Sequence, residues 1–195
     1  MKKTLLSLAI LSLTAISLNA QTRYVDDVYT DQDLDIVTDI EYAENYTVLY
    51  GDIDTSTPGP QFLLEKLKSD FYYPPYEETV GNRPVVILLH TGNFLPRYMN
   101  NGPVGYKDDS STVAMCKAWA RKGYVVMSAT YRMGWNPIAT TEDVRRETII
   151  NAAYKGVQDV SAAIRFLKDE AMNLGNFNAL DTNKIALGGQ GTGSY

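Results

Sequence analysis

Beyond residue 83 the chain alternates between unbroken apolar runs and stretches of helical period. The first run, Pro84-Val85-Val86-Ile87-Leu88-Leu89-His90, offers no polar position to face water, as expected of a parallel strand buried on both faces. Asp109-Ser110-Ser111 supplies N-caps for a helix from about Thr112 to Lys122, with Val113, Cys116, Trp119 and Ala120 on one side and Gly123 as its stop. Tyr124 to Tyr131 reads as a second buried strand. Thr140 or Thr141, followed by Glu142 and Asp143, caps a long helix whose apolar stripe runs Ile149, Ala153, Val157, Val160, Ile164, Leu167, Ala171. Lys184 to Gly188 is a third buried strand, and it ends in a glycine cluster, Gly189-Gln190-Gly191-Thr192-Gly193.

Upstream the period changes to two. Ile40, Tyr42, Tyr46, Val48 and Tyr50 alternate with polar residues, as do Leu67, Phe71 and Tyr73 before Pro74-Pro75. With Gly51 to Pro60 as the loop between them, these runs predict an antiparallel pair at the sheet edge. Residues 22 to 37 are acidic and read as an irregular lead-in. The order predicts an α/β chain: a three-layer α/β/α sandwich on a mostly parallel sheet, with antiparallel N-terminal edge strands and right-handed crossovers.

The N-terminus adds an address. Lys2 and Lys3 precede the apolar stretch Leu5 to Leu18 and the small-residue context Asn19-Ala20-Gln21, the pattern of a secretory signal peptide over residues 1–20 rather than of a membrane span. The expected location is periplasmic, cell-surface or extracellular, with one domain over residues 38–195. Removing residues 1–20 takes two lysines and no acid, so the net charge moves from −5 to −7, which disfavours nucleic acid or an anionic membrane as partner. Cys116 is the only cysteine, so no internal disulfide braces the exported chain, and 45% hydrophobic residues leave that task to an apolar core. With one cysteine and one histidine there is no metal-ligand spacing, and no cofactor is expected. Asp159, Arg132, Arg145 and Arg146 are candidates for ion pairs between helix and strand ends, although solvated faces are the commoner outcome for such groups.

Two constellations carry candidate chemistry. The first, His90-Thr91-Gly92-Asn93-Phe94, ends the first buried strand. Glycine here allows backbone N–H groups to turn outward toward a developing negative oxygen. His90 closes a buried strand, so it is read as a support for this loop rather than as a mobile general base. The second is the glycine cluster, a strand feeding a tight turn.

Taken together, the segments from Tyr46 to Tyr195 resemble α/β-hydrolases of the carboxylesterase and lipase type. RPVVILLHTGNF at 83–94 is similar to the strand and HGGGF oxyanion segment, Tyr131-Arg132-Met133-Gly134 to the family's YRLG, and 157–167 to the helix before the nucleophile strand. The resemblance implies backbone oxyanion donors at Gly92, Asn93 and Thr192. Thr91 and Asn93 stand where the family has glycines; Asn tolerates left-handed backbone, whereas β-branched Thr91 would be uncomfortable in it. Aligned on G-x-S-x-G, the nucleophile position holds Gly191, which has no atom to attack a carbonyl. Thr192 is expected to point away from substrate, and Ser194 falls outside the register. The family's acid and histidine follow the nucleophile in the chain and are not present here, so the chain is expected to be the N-terminal part of such a domain, inactive by itself.

Two other functions compete with ester hydrolysis. A non-catalytic relative would bind a small ligand or a partner in the old cleft. A nucleotide-binding module would use the Gly189–Ser194 loop, although a dinucleotide fingerprint belongs on the first strand–helix unit and needs a later acid.

Overall fold

Among the described residues five strands form one sheet in the order β1-β2-β4-β3-β5. They are β1 (Asp35–Leu49), β2 (Gln61–Tyr73), β3 (Arg83–Leu89), β4 (Val125–Ala129) and β5 (Leu180–Gly189), with helix α1 (Ser110–Ala120) before β4 and helix α2 (Glu142–Asn173) before β5. The structure is a computed structural model that describes residues 23–49, 61–96, 99–100 and 105–195. The signal segment and the loop over Gly51 to Pro60 lie outside the described residues. β1 and β2 pair antiparallel, as do β2 and β4, while β4, β3 and β5 run parallel. The sheet is therefore mixed, with its antiparallel pair at one edge.

Alternation along the central strands explains the core. Val85, Ile87, Val125 and Met127 face one way and pack with Leu67 and Phe71 against Ala163 and Leu167 of α2. Val86, Leu88 and Val126 face the other way and pack with Tyr72 against Cys116 and Ala120 of α1. Each fully buried side chain of this size contributes roughly 1.5–3 kcal/mol over an exposed one. The unbroken apolar run in β3 thus serves two cores at once. Cys116 is buried and its thiol is pushed up to about 12, chiefly by burial, so it is an unreactive packing group.

The acidic lead-in is irregular over residues 23–30 and is held against the end of α1: Tyr24 N–H donates to Lys122 O (2.9 Å) and Val28 N–H to Arg121 O (2.8 Å), while Arg121 pairs with Asp27 and Asp31. These donors satisfy carbonyls that the end of α1 leaves unpaired. A short 3-10 turn, Asp31–Asp33, then leads into β1, which begins at Asp35. On α1, Trp119 is not a core residue; it is 39% exposed and meets Tyr124 edge-on, while Cys116 and Ala120 take the sheet-facing seam.

The buried face of α2 is turned about one residue from the apolar stripe. It consists of Thr148, Ala152, Lys155, Gly156, Asp159, Ala163 and Leu167, and Val157 is 60% exposed. Close approach sets this register, since Gly156 passes near the Tyr131 ring and Asp159 must reach Arg132. Of the two outcomes expected for these charges, ion pair or solvated face, this is the less common one. Arg132 Nε donates to both Asp159 oxygens (2.9 Å each), the Arg132 backbone N–H donates to Asp159 Oδ2 (2.7 Å), and both side chains are almost fully buried. Arg146, by contrast, sits in water beside Glu142 and Asp143.

β5 is an edge strand rather than a buried one. Among the described residues it pairs only with β3, Leu187 is 56% exposed, and of its own residues only Leu180 is buried. No helix among the described residues is long and apolar enough to cross a membrane.

Candidate active-site elbow

The ends of β3 and β5 lie side by side, with Leu89 opposite Gly189 and Gln190 N–H donating to Leu89 O (3.0 Å). Both candidate constellations therefore start from one point on the sheet. After Gln190 the chain turns sharply: Gly191 has φ +56, a left-handed conformation that favours glycine, and a short 3-10 turn follows over Gly191–Ser194. Gly193 is required for a different reason. A Cβ there would stand 2.4 Å from Leu89 O and 2.5 Å from His90 O, so only a residue without a side chain lets the turn press onto the end of β3.

The loop after β3 is held from several sides. Leu95 N–H closes a turn on Gly92 O (2.9 Å), and Gly92 has φ +143. Asn93 and Phe94 both adopt left-handed backbone, at φ +55 and +53. Asparagine accepts that conformation readily, whereas phenylalanine stores roughly 1–2 kcal/mol of strain. That strain is offset by burial of the Phe94 ring edge-on to Tyr131, by Gly134 N–H donating to Phe94 O (2.9 Å), and by Trp135 Nε1 donating to Asn93 O (3.0 Å). Thr91 has no positive φ, so the discomfort expected of a β-branched residue does not arise.

His90 is buried and its ring stacks on Tyr131, with centroids 4.8 Å apart. Its Nδ1 lies 2.5 Å from Thr91 O, which only accepts, so Nδ1 carries the proton of the neutral ring. Burial lowers the imidazole pKa, while the Thr91 carbonyl and the charges of Asp109 and Asp108 act in the opposite direction. Tyr131 Oη donates to His90 O (2.9 Å), tying β4 to the start of the loop; burial raises its phenol pKa, and Thr192 opposes the rise.

The elbow and the loop meet at two contacts. Asn93 N–H, one of the expected oxyanion donors, donates to Thr192 Oγ1 (3.0 Å). The Thr192 hydroxyl is thus turned into the loop rather than away from it. The second contact is steric: a Cβ on Gly191 would lie 2.3 Å from Thr91 Oγ1 and 3.0 Å from Thr91 Cβ. Thr91 fills the space into which a nucleophile side chain would project. Ser194 Oγ donates to Gly191 O (2.5 Å) within the turn, and Ser111 Oγ at the start of α1 donates to Gln190 Oε1 (2.9 Å).

As a phosphate cradle the same loop is poorly supplied, because the N–H groups of Gln190, Gly193 and Tyr195 are all spent on carbonyls. Among the described residues no three His, Cys, Asp or Glu side chains converge on a metal position. A cavity of 980 Å³ adjoins the site, with His90, Tyr131, Met133 and Gly134 on one wall and Leu64 and Lys107 among the others; Thr91, Asn93 and Gly191 do not line it. The sequence reading missed Thr91 as the occupant of the elbow, and Tyr131 and Trp135 as clamps. The Tyr131-Arg132 motif was the available signal for the first clamp, and nothing pointed to the second.

Fold and site together describe a mixed α/β chain whose parallel strands end in a glycine elbow beside a strained loop. No family model and no curated protein matches it. Among solved structures it is similar to esterase 2 of the planctomycete Thermogutta terrifontis, a thermophilic esterase seen with butyrate bound, at 22% identity over 66% of this chain and 37% of that one, with a TM-score of 0.44. The form of that esterase phosphorylated by paraoxon aligns at 21% identity over 76% of this chain and 44% of the other, again with a TM-score of 0.44. This chain spans less than half the length of those esterases, and at this level the likeness is a partial course of backbone from which no chemistry is carried across.

Proposed function

We propose that residues 38–195 belong to a three-layer α/β-hydrolase domain, related to carboxylesterases and lipases and exported by the segment 1–20, in which the nucleophile elbow is retained without catalysis. The contact between Thr91 and the empty side of Gly191 carries this reading. An elbow that had merely lost its serine would leave a gap; here a neighbouring side chain occupies it. The hydrogen bond from Asn93 N–H to Thr192 Oγ1 supports the same conclusion, since a donor aimed at a substrate oxygen is engaged by the protein's own hydroxyl. His90 is the chain's only histidine, and it is buried against Tyr131 and bonded to Thr91 O rather than poised beside a nucleophile.

On this reading the cleft binds a small ligand, an ester or another small molecule, without turning it over. The test is hydrolysis of p-nitrophenyl acetate and butyrate by the chain without residues 1–20, together with labelling by a fluorophosphonate. Hydrolysis at the rate of buffer and no labelling are expected. Saturable turnover abolished by the fluorophosphonate would overturn the proposal.

A further inference from the structure

A second cavity, of 680 Å³, lies away from the elbow, between the start of β1, the end of β2 and the C-terminal end of α2. Its floor is aromatic. Its half-buried rings are Tyr73 and Phe166, and both pack on the fully buried Phe71, which stacks on Tyr73 with centroids 5.5 Å apart and planes 5° from parallel and meets Phe166 at 6.3 Å. Two further rings that line it, Tyr76 and Phe177, are 83% and 84% exposed and stand at its mouth. An exposed phenylalanine at the edge of an aromatic cavity is without use to the core.

The charged groups facing this space are Asp35, Glu78, Glu170 and Arg83. Glu78 is consumed by Arg83 (3.0 Å) and by Arg23, which sits behind it. Asp35 Oδ2 accepts from Tyr76 N–H (2.8 Å), and Glu170 Oε1 accepts from Asn178 Nδ2 (2.6 Å). Glu170 Oε2 has no donor among the described residues. Counting Arg23 and Arg83 against the three carboxylates leaves one surplus negative charge at the aromatic cavity. Tyr73 registers that field: its phenol pKa is raised, first by burial and then by the charge of Glu170.

We propose that this cavity binds a small organic cation of the alkylammonium class, its alkyl groups against the half-buried Tyr73 and Phe166 rings and the exposed Tyr76 and Phe177 at the mouth, and its charge directed to Glu170. Ring faces attract a cation through their quadrupole, and such a cation shows its alkyl surface to the rings without needing hydrogen-bond donors. A free carboxylate oxygen at the edge supplies the charge complement. A neutral apolar ligand would gain from the rings alone, and an anion would face Asp35 and Glu170, the two carboxylates not paired with an arginine. The site is independent of the elbow and goes beyond the function proposed for it.

The experiment is calorimetric titration of the chain without residues 1–20 by choline and by 3,3-dimethylbutan-1-ol, which has choline's shape with carbon in place of nitrogen. Choline should bind at least about tenfold more tightly than the alcohol. Glu170→Gln should weaken choline by about tenfold while leaving the alcohol unchanged, and Phe177→Ala should weaken choline with the far-UV circular dichroism spectrum intact. Both substitutions are at positions that are not fully buried, so folding is checked directly by that spectrum and by the thermal transition. Equal affinity for the two probes would make the site a plain apolar pocket and overturn the proposal, as would binding of neither by the folded chain, or choline binding indifferent to Glu170→Gln.

Discussion

Thr91 and Gly191 fill one space between them: a Cβ on residue 191 would come within 2.3 Å of Thr91 Oγ1. The two positions depart together from the pattern that the sequence resembles, one gaining a side chain and the other losing it. Gly191→Ser alone should therefore destabilise the chain. It places a side chain at φ +56, at roughly 1–2 kcal/mol, and it also forces Thr91 aside. Combined with Thr91→Gly, the same serine should be tolerated better than the sum of the two single changes, with a coupling above about 0.5 kcal/mol in urea unfolding. Strict additivity would mean that the two residues do not share the space. Neither variant should gain esterase activity, because among the described residues no base is poised beside residue 191.

The Arg132–Asp159 pair fixes how α2 lies on the sheet, and its removal should be costly. Asp159→Asn leaves a buried guanidinium without its carboxylate, and a loss of about 3–5 kcal/mol is expected in equilibrium unfolding. Replacing both residues by apolar ones, Arg132→Met with Asp159→Leu, should cost less than Asp159→Asn alone. A double variant as unstable as the single one would show that the bonds from Arg132 to Tyr46 O and Gln158 Oε1 matter more than the ion pair.

This pair also shows where the sequence stops being legible. β3 and β4 could be read directly, because a strand buried on both faces needs a nearly unbroken apolar run and each of them has one. For α2 the period was legible and its phase was not: Val157 looks like a core residue until Asp159 is known to be drawn inward by Arg132. From the sequence Arg132 and Asp159 are an ion pair or two solvated charges with the second the commoner outcome, and only the fold selects the buried pair. β5 failed for the opposite reason. Its run Ile185-Ala186-Leu187 is as apolar as β3, yet burial depends on neighbours that composition does not specify. At the elbow, glycine spacing located the turn and its contact with the end of β3. The occupancy by Thr91 could not be read, because it depends on an approach between residues 100 positions apart.

The pH dependence of stability should carry a His90 component of known sign. Burial depresses the folded-state imidazole pKa below its ordinary value of 6.5, so the unfolded chain takes up a proton more readily than the folded one. The stabilisation is complete above the unfolded value and is lost as pH falls from there through the folded value. His90→Gln should flatten the stability profile between pH 7 and pH 5, whatever it does to stability at pH 7. An unchanged slope would place the titration elsewhere.

Thr192 gives the most direct view of the oxyanion loop. Its Oγ1 accepts from Asn93 N–H at 3.0 Å, and Thr192→Val keeps the shape while removing the acceptor. The bond lies at an exposed position, so water can replace the hydroxyl and the loss of stability should be only about 1 kcal/mol. The local consequence is larger than the global one. Amide exchange at Asn93 should accelerate by roughly fivefold, the equivalent of that energy, while the amides of β3 and β4 exchange as before. If Asn93 exchanges equally fast in both proteins, the Thr192 hydroxyl does not hold the donor and the loop is free to accept a ligand oxygen. If exchange rises only at Asn93, the donor is engaged by the elbow at rest, and any ligand that uses it must first displace a side chain of the protein itself.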